Sequence, residues 1–179
     1  LLYSQGELAH SAYFVQSGGI KLVQLSPEGQ QVTLKIFGAG DLSGLLAISG
    51  PFPHPSSAEA IDDTVVIGIS GGDMREVICD YPKFGLRVID LLVEHVHAAH
   101  GRLRTMMIER ADQRLARALM HYCEKFGVET ADGISIDVTL SQQDLAQFCG
   151  ITLETVNRTL KVWQDQDLIR LSRQHIDVL

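Results

Sequence analysis

Apolar and polar positions alternate in short bursts over residues 1–70. The period-two segments Ala12–Gln16, Ile20–Leu25, Gln31–Phe37 and Thr64–Ile69 are separated by turn signals. These signals are Ser17-Gly18-Gly19, Ser26-Pro27-Glu28-Gly29, Gly38-Ala39-Gly40-Asp41 and Gly50-Pro51. Evenly spaced short strands with glycine turns predict a β-sandwich or jelly roll. Gly71-Gly72-Asp73 then opens a short predicted helix, Met74–Cys79, which stops at Tyr81-Pro82.

From Pro82 the period lengthens. Up to Arg110 only Gly85 and Gly101 interrupt a helical pattern, and no proline falls inside it. Apolar or small residues at Ile89, Leu92, Val96, Ala99, Leu103 and Met106 are spaced 3, 4, 3, 4, 3, which is a heptad seam. Such a seam packs either on the β-domain of its own chain or on a second copy in a parallel dimer. Val88, Leu91 and Ile108 offer the β-domain a separate apolar face, which favours the dimer. Asp112 is placed to cap the next helix, Gln113–Phe126, and the break near Ile108–Asp112 reads as a domain boundary. Polar and glycine residues from Gly127 to Gly133 lead to a predicted strand, Ile134–Val138.

The densest pattern comes next. Two short helices, Gln142–Cys149 and one from Leu153 onward, are joined at Gly150, which tolerates the positive φ of such a turn. Leu145, Cys149, Ile151, Val156 and Leu160 would fill the angle between them, and Ala146 is small where they cross. Ser141 caps the first helix, with Asp144 three residues on in the manner of a capping box, and Thr152 caps the second. Leu168–Leu171 and Gln174–Val178 around Ser172-Arg173 predict a wing hairpin. This is a helix-turn-helix layout, in which the second helix lies in the major groove.

Composition narrows the field. The 179 residues are 45% hydrophobic, enough for a real core, and no run of 18 apolar residues supports a membrane span. Leu1 stands inside a predicted strand without an initiator Met, so further chain is expected ahead of it. A net charge of −7 looks unsuited to a DNA reader, but it is unevenly spread. Residues 1–98 carry 5 basic and 11 acidic residues, whereas 99–125 carry 6 basic and 3 acidic. Arg158 and Lys161 supply local positive charge, so specific contacts must contribute more than a general basic field. The three cysteines, Cys79, Cys123 and Cys149, are scattered in apolar contexts and read as buried small residues of a reducing cytosol. They form no disulfide framework and no metal pair. No nucleophile–base–acid constellation, phosphate-cradling glycine loop or zinc-hydrolase motif points to an enzyme or a catalytic residue.

A β-roll, a long helix, a hinge and a winged helix-turn-helix, in that order, resemble the Crp/Fnr family of bacterial transcription regulators. Leu2–Gly6 with Tyr13–Gly18 looks like the family's opening strands, and Gly40-Asp41-Leu42-Ser43-Gly44 like its GD-x-x-G turn. Leu145–Leu168 resembles its DNA-binding signature. The resemblance implies an α+β chain of three parts: a cyclic-nucleotide-binding-like jelly roll at 1–81, a dimerisation helix and hinge at 82–110, and a winged helix-turn-helix at 111–179. It implies a cytoplasmic homodimer on palindromic double-stranded DNA, with RNA polymerase as a partner if the protein is an activator. The rival reading is the same roll serving as a regulatory module without DNA binding; the intact reading motif argues against it.

The signal is narrowed by comparing branches of the family. In the cyclic-AMP branch a Glu follows the GD-x-x-G glycine, and an Arg-Ser pair follows about ten residues later. Here Leu45 follows Gly44, and the later segment is His54-Pro55-Ser56-Ser57-Ala58. Leu cannot accept from a ribose hydroxyl, and no guanidinium meets the phosphate. The polar pair on the long helix is replaced by Ala99-His100. Cyclic AMP is therefore not the expected ligand, and the segment resembles the Fnr side, which serves oxygen, nitric oxide and redox responses. A four-cysteine iron–sulfur cluster is disfavoured because Ile67 stands near the place of its internal cysteine. Haem-based gas sensing stays open, and no metal site is assigned. The effector candidates are Gly44, Leu45, His54, Ser56, Ser57, His97 and His100. His95 and His97 point to opposite sides of the long helix, a poor arrangement for shared ligation.

The family's reading motif resembles Leu153-Glu154-Thr155-Val156-Asn157-Arg158. Glu154 and Arg158 lie one turn apart on one face. Glu can accept from a cytosine amine, and Arg can donate twice to guanine. Leu153 suits a thymine methyl, and the resemblance implies TTGA-like half-sites with Asn157 adjusting one position. Thr155 lies within the motif, while Ser141, Gln142, Thr152 and Lys161 are placed for phosphate contacts. The plainer reading of Glu154 and Arg158 is a surface pair contributing about 0.3–0.5 kcal/mol to helix stability.

Overall fold

The computed structural model describes residues 1–172 and 175–179. Two three-stranded antiparallel sheets build the N-terminal roll. One has the order β4-β1-β6, from β1 (Ser11–Ser17), β4 (Leu42–Ser43) and β6 (Val65–Ser70). The other has the order β3-β2-β5, from β2 (Ile20–Leu25), β3 (Gln31–Phe37) and β5 (Ser57–Ala60). Val15 from the first sheet and Ile20, Phe37 and Ala58 from the second meet in one buried cluster with Tyr3. The alternating patterns of β1, β2, β3 and β6 anticipate these strands. β4, β5 and the 3-10 helix Leu45–Ser49 are too short and too poor in alternation to be read that way. The expected opening strand Leu2–Gly6 is reduced to a single bridge between Tyr3 and Ala58.

Helix α1 (Gly71–Asp80) begins earlier than the glycine pair suggests, because the Ser70 hydroxyl accepts the Asp73 N–H and caps it. Helix α2 (Pro82–Ile108) carries the expected proline in its first turn. Val88 is its buried contact and Leu91 is half-buried, but Ile108, expected on the same face, is 74% exposed at the helix end. The seam side is open: Ile89, Leu92, Val96, Ala99, Leu103 and Met106 are all exposed.

Helix α3 (Ala111–Phe126) is capped by Arg110, not Asp112. The Gln113 side chain accepts the Arg110 N–H at 3.0 Å, which fixes the start one turn before it and puts Asp112 inside the first turn. The segment expected as loop after α3 contributes β7 (Gly127–Glu129), and β8 is Ile134–Ile136, ending short of Val138. With β9 (Ile169–Leu171) and β10 (Ile176–Val178) these form a sheet of order β7-β8-β10-β9. The wing strands thus appear where expected, while Arg173 and Gln174 of the hairpin lie outside the described residues. Cys123 and Cys149 are buried as expected; Cys79 is exposed, because it lies on the outer face of α1.

Candidate nucleic-acid interface and effector cavity

Helices α4 (Gln142–Cys149) and α5 (Leu153–Asp165) take their geometry from local chemistry. The Ser141 hydroxyl accepts the Asp144 N–H at 3.0 Å, and the Asp144 carboxylate accepts the Ser141 N–H at 3.2 Å, a complete capping box. Gly150 makes the turn at φ 62, a left-handed conformation that glycine adopts without strain. The Thr152 hydroxyl then accepts the Thr155 N–H at 3.2 Å and starts α5. Leu145, Val156 and Leu160 are 0% exposed and Ala146 is 4% exposed, so the angle between the helices is filled as the pattern requires.

This packing leaves one face of α5 free. Leu153, Glu154, Asn157, Arg158 and Lys161 are all exposed, and Thr155 is half-buried. Among the described residues Glu154 and Arg158 form no ion pair with each other, so both polar heads are available to an outside partner. Ser141, Gln142 and Thr152 are exposed at the helix starts, where orphan N–H groups and the positive helix end also suit an anion.

In the roll a cavity of about 170 Å³ lies between the sheets and the 3-10 helix. Gly44, Leu45, His54 and Ser56 line it. Gly44 holds φ 72, and a Cβ there would meet the Ser11 carbonyl at 2.9 Å. His54 is buried and stacks on Tyr3 with ring centroids 3.7 Å apart, and the Tyr3 hydroxyl lies 3.2 Å from the Ser43 hydroxyl. Burial pushes the His54 imidazole below its ordinary pKa, favouring the neutral ring. Three expected effector residues stand apart from this wall. Ser57 faces the Gln5 N–H, which it accepts at 2.9 Å, while His97 and His100 are exposed on α2. The α2 histidine in the wall is His95, packed edge-on against Phe37. Its half-buried place in the β-facing row of α2 was the signal that could have found it. Among the described residues no lysine, arginine or carboxylate lines this cavity. The polar groups of its wall are hydroxyls of Tyr3, Ser43 and Ser56 and the imidazoles of His54 and His95.

Two family models match the chain in sequence. The cyclic nucleotide-binding domain matches residues 1–81, and the Crp-like helix-turn-helix domain matches 113–179. A CRP-like cAMP-activated global transcriptional regulator of Mycobacterium tuberculosis is 26% identical over 98% of this chain and 78% of its own length. The chain belongs to the Crp/Fnr family. It is a DNA-binding transcription regulator of that type, which decides against a roll without a reading head. An anaerobic regulatory protein of Bacillus subtilis is 28% identical, covering 89% of this chain and 67% of its own. The fold of FixK2 from Bradyrhizobium japonicum superposes with a TM-score of 0.87 at 23% identity, covering 99% of this chain and 86% of that one. Among the described residues no helix is long and apolar enough to cross a membrane.

In this Crp/Fnr chain the reading head is docked on the roll, which the sequence did not reveal. α4 packs against β3, and Ile36 joins the head's core cluster. The Lys21 ammonium reaches the Asp144 carboxylate at 2.7 Å, and Lys125 reaches Asp41 at 2.5 Å. Burial works against the Asp144 charge, but hydrogen bonds from Lys21 and Ser141 outweigh it and hold the carboxyl below its ordinary pKa.

Proposed function

We propose that this regulator acts as a cytoplasmic homodimer on a palindromic TTGA-like site and that its signal is not cyclic AMP. The observation that carries the DNA reading is the free row of Leu153, Glu154, Asn157 and Arg158 on a helix fixed by a cap at its start. Glu154 to a cytosine amine and Arg158 to guanine are the pairings that these side chains make with base edges. The exposed seam from Ile89 to Met106 supports the dimer, because a continuous apolar stripe on a long helix needs a partner surface. A two-fold dimer presents two reading helices to two half-sites. The uncharged cavity around His54 supports a signal other than a cyclic phosphate. An activator of this kind would also touch RNA polymerase.

Fluorescence anisotropy on a TTGA palindrome and a scrambled duplex tests this reading. Runs in air, without oxygen, and with haem plus nitric oxide separate the signal classes. Site-specific binding in one condition is the expected outcome, and equal weak binding to both duplexes in all three would overturn it. Added cyclic AMP should leave the isotherm unchanged.

A further inference from the structure

A second cavity is larger than the one in the roll. It measures about 340 Å³ and lies where β3, α2, α3 and α4 meet, so an occupant would touch the roll, the long helix and the reading head together. This volume falls in the range of small-molecule sites, roughly 300–1,000 Å³. Its walls are mainly apolar, with Ile36 and Phe148 among them, but Lys35, Arg102, Arg114 and Arg117 also line it. No Asp or Glu does.

The cations are poorly matched inside the protein. Arg117 is paired with Glu109 at 2.6 Å. Among the described residues Lys35, Arg102 and Arg114 form no ion pair with a carboxylate. Arg102 donates to the main-chain carbonyls of Thr33, Leu34 and Phe148 and stacks over the Phe148 ring. Among the described residues the buried Nε of Arg114 has no hydrogen-bond partner, while its Nη1 donates to the Met106 carbonyl at 3.4 Å. The Lys35 ammonium lies 4.5 Å from the centre of the Phe37 ring, and burial pushes its pKa down to about 8. An apolar chamber whose rim carries four cations and no carboxylate favours a ligand with an apolar body and a negative head.

We propose that this junction binds a small amphipathic carboxylate, its apolar body against Ile36 and Phe148 and its negative head drawn to the cationic rim that includes Arg114 and Lys35. Such a ligand is distinct from any effector in the roll and contacts the surfaces on which the reading head is seated.

The test is calorimetric titration of the full chain with octanoate, 1-octanol and inorganic phosphate. Octanoate should bind, with octanol and phosphate weaker by about tenfold or more. Arg114→Gln and Lys35→Met should each weaken octanoate about tenfold and leave octanol unchanged. Ala98→Trp, which fills the chamber from α2, should abolish octanoate binding. Circular dichroism melting curves identify any variant that fails to fold, and the three variants at separate places keep the outcome readable. Equal binding of octanol, unchanged affinity in both charge variants, or no binding of octanoate would each overturn the proposal. Octanoate affinity that falls as the protein associates would give the chamber to a second copy and also overturn it.

Discussion

The reading head buries Leu115, Ile136, Leu145, Val156 and Leu160 at 0% exposure in one continuous cluster. The roll's cluster of Tyr3, Val15, Ile20, Phe37 and Ala58 is smaller, and two of its five members, Tyr3 and Phe37, line the cavity of about 170 Å³; the head's cluster meets the junction cavity only at its edge, through Ile36, Ala118, Phe148 and Cys149, and none of its fully buried five lines it. Close-packed interiors move as units, so the head presents α5 at a fixed angle. The roll keeps slack beside its core, where a side chain or a ligand can shift at lower cost. Reading requires the first property and sensing the second.

Substitutions that carve the two cores should separate them most. Leu145→Ala is expected to cost about 2–5 kcal/mol, whereas Leu22→Ala, beside existing empty space, should cost less than about 2 kcal/mol. Chemical denaturation followed through Trp163, the single tryptophan, reports the head directly. If both variants lose the same stability, the contrast between tight head and loose roll fails.

Arg158→Ala leaves both cores intact and should weaken the specific site by about 1–3 kcal/mol, with relaxed preference at one base pair. Anisotropy against a panel of single-base variants checks this; equal losses on every duplex would mark Arg158 as a phosphate contact.

A smaller effect is expected where the two regions touch. Lys21→Met removes the 2.7 Å contact to Asp144 and should cost about 1 kcal/mol, since water still reaches the pair. The folded Asp144 carboxyl is held below its ordinary value, so its contribution is present above about pH 4 and lost as the pH falls through the depressed folded value. Acid titration of stability should therefore be shallower in Lys21→Met than in the parent. The smallest change is Tyr3→Phe, which deletes a 3.2 Å hydroxyl contact to Ser43 and should cost below about 1 kcal/mol in thermal melts.

The head was legible because its determinants are local. Ser141 with Asp144, Gly150, and Thr152 before Leu153 each act within four residues, and the apolar spacing names the buried face. Much of the roll was legible for the same reason, through alternation and glycine turns. What could not be read has two physical sources. Ser57-Ala58-Glu59-Ala60 and Gly127-Val128-Glu129 carry almost no pattern, so only pairing with β2 and β8 makes them strands. The start of α3 is set by the Gln113 side chain reaching back to the Arg110 N–H, which places Asp112, the stronger cap by residue type, inside the first turn. The second source is distance along the chain. Lys21 and Asp144 stand 123 positions apart, and neither residue alone announces the other. The cavity wall formed by His54 and the long helix's His95 is likewise a product of tertiary packing, which explains why His97 and His100 are the candidates the sequence offers and His95 is not.

Arg102 sets a mechanical condition on the whole chain. Its guanidinium stacks over Phe148 at 4.4 Å and is held by carbonyls of β3 and α4. Leu103, the next residue, faces outward about 100° around the same helix. The two side chains are therefore arms of one crank: any roll of α2 that beds Leu103 against a neighbour swings Arg102 through the same angle. The outer face of the helix and the seat of the reading head thus meet in two consecutive residues.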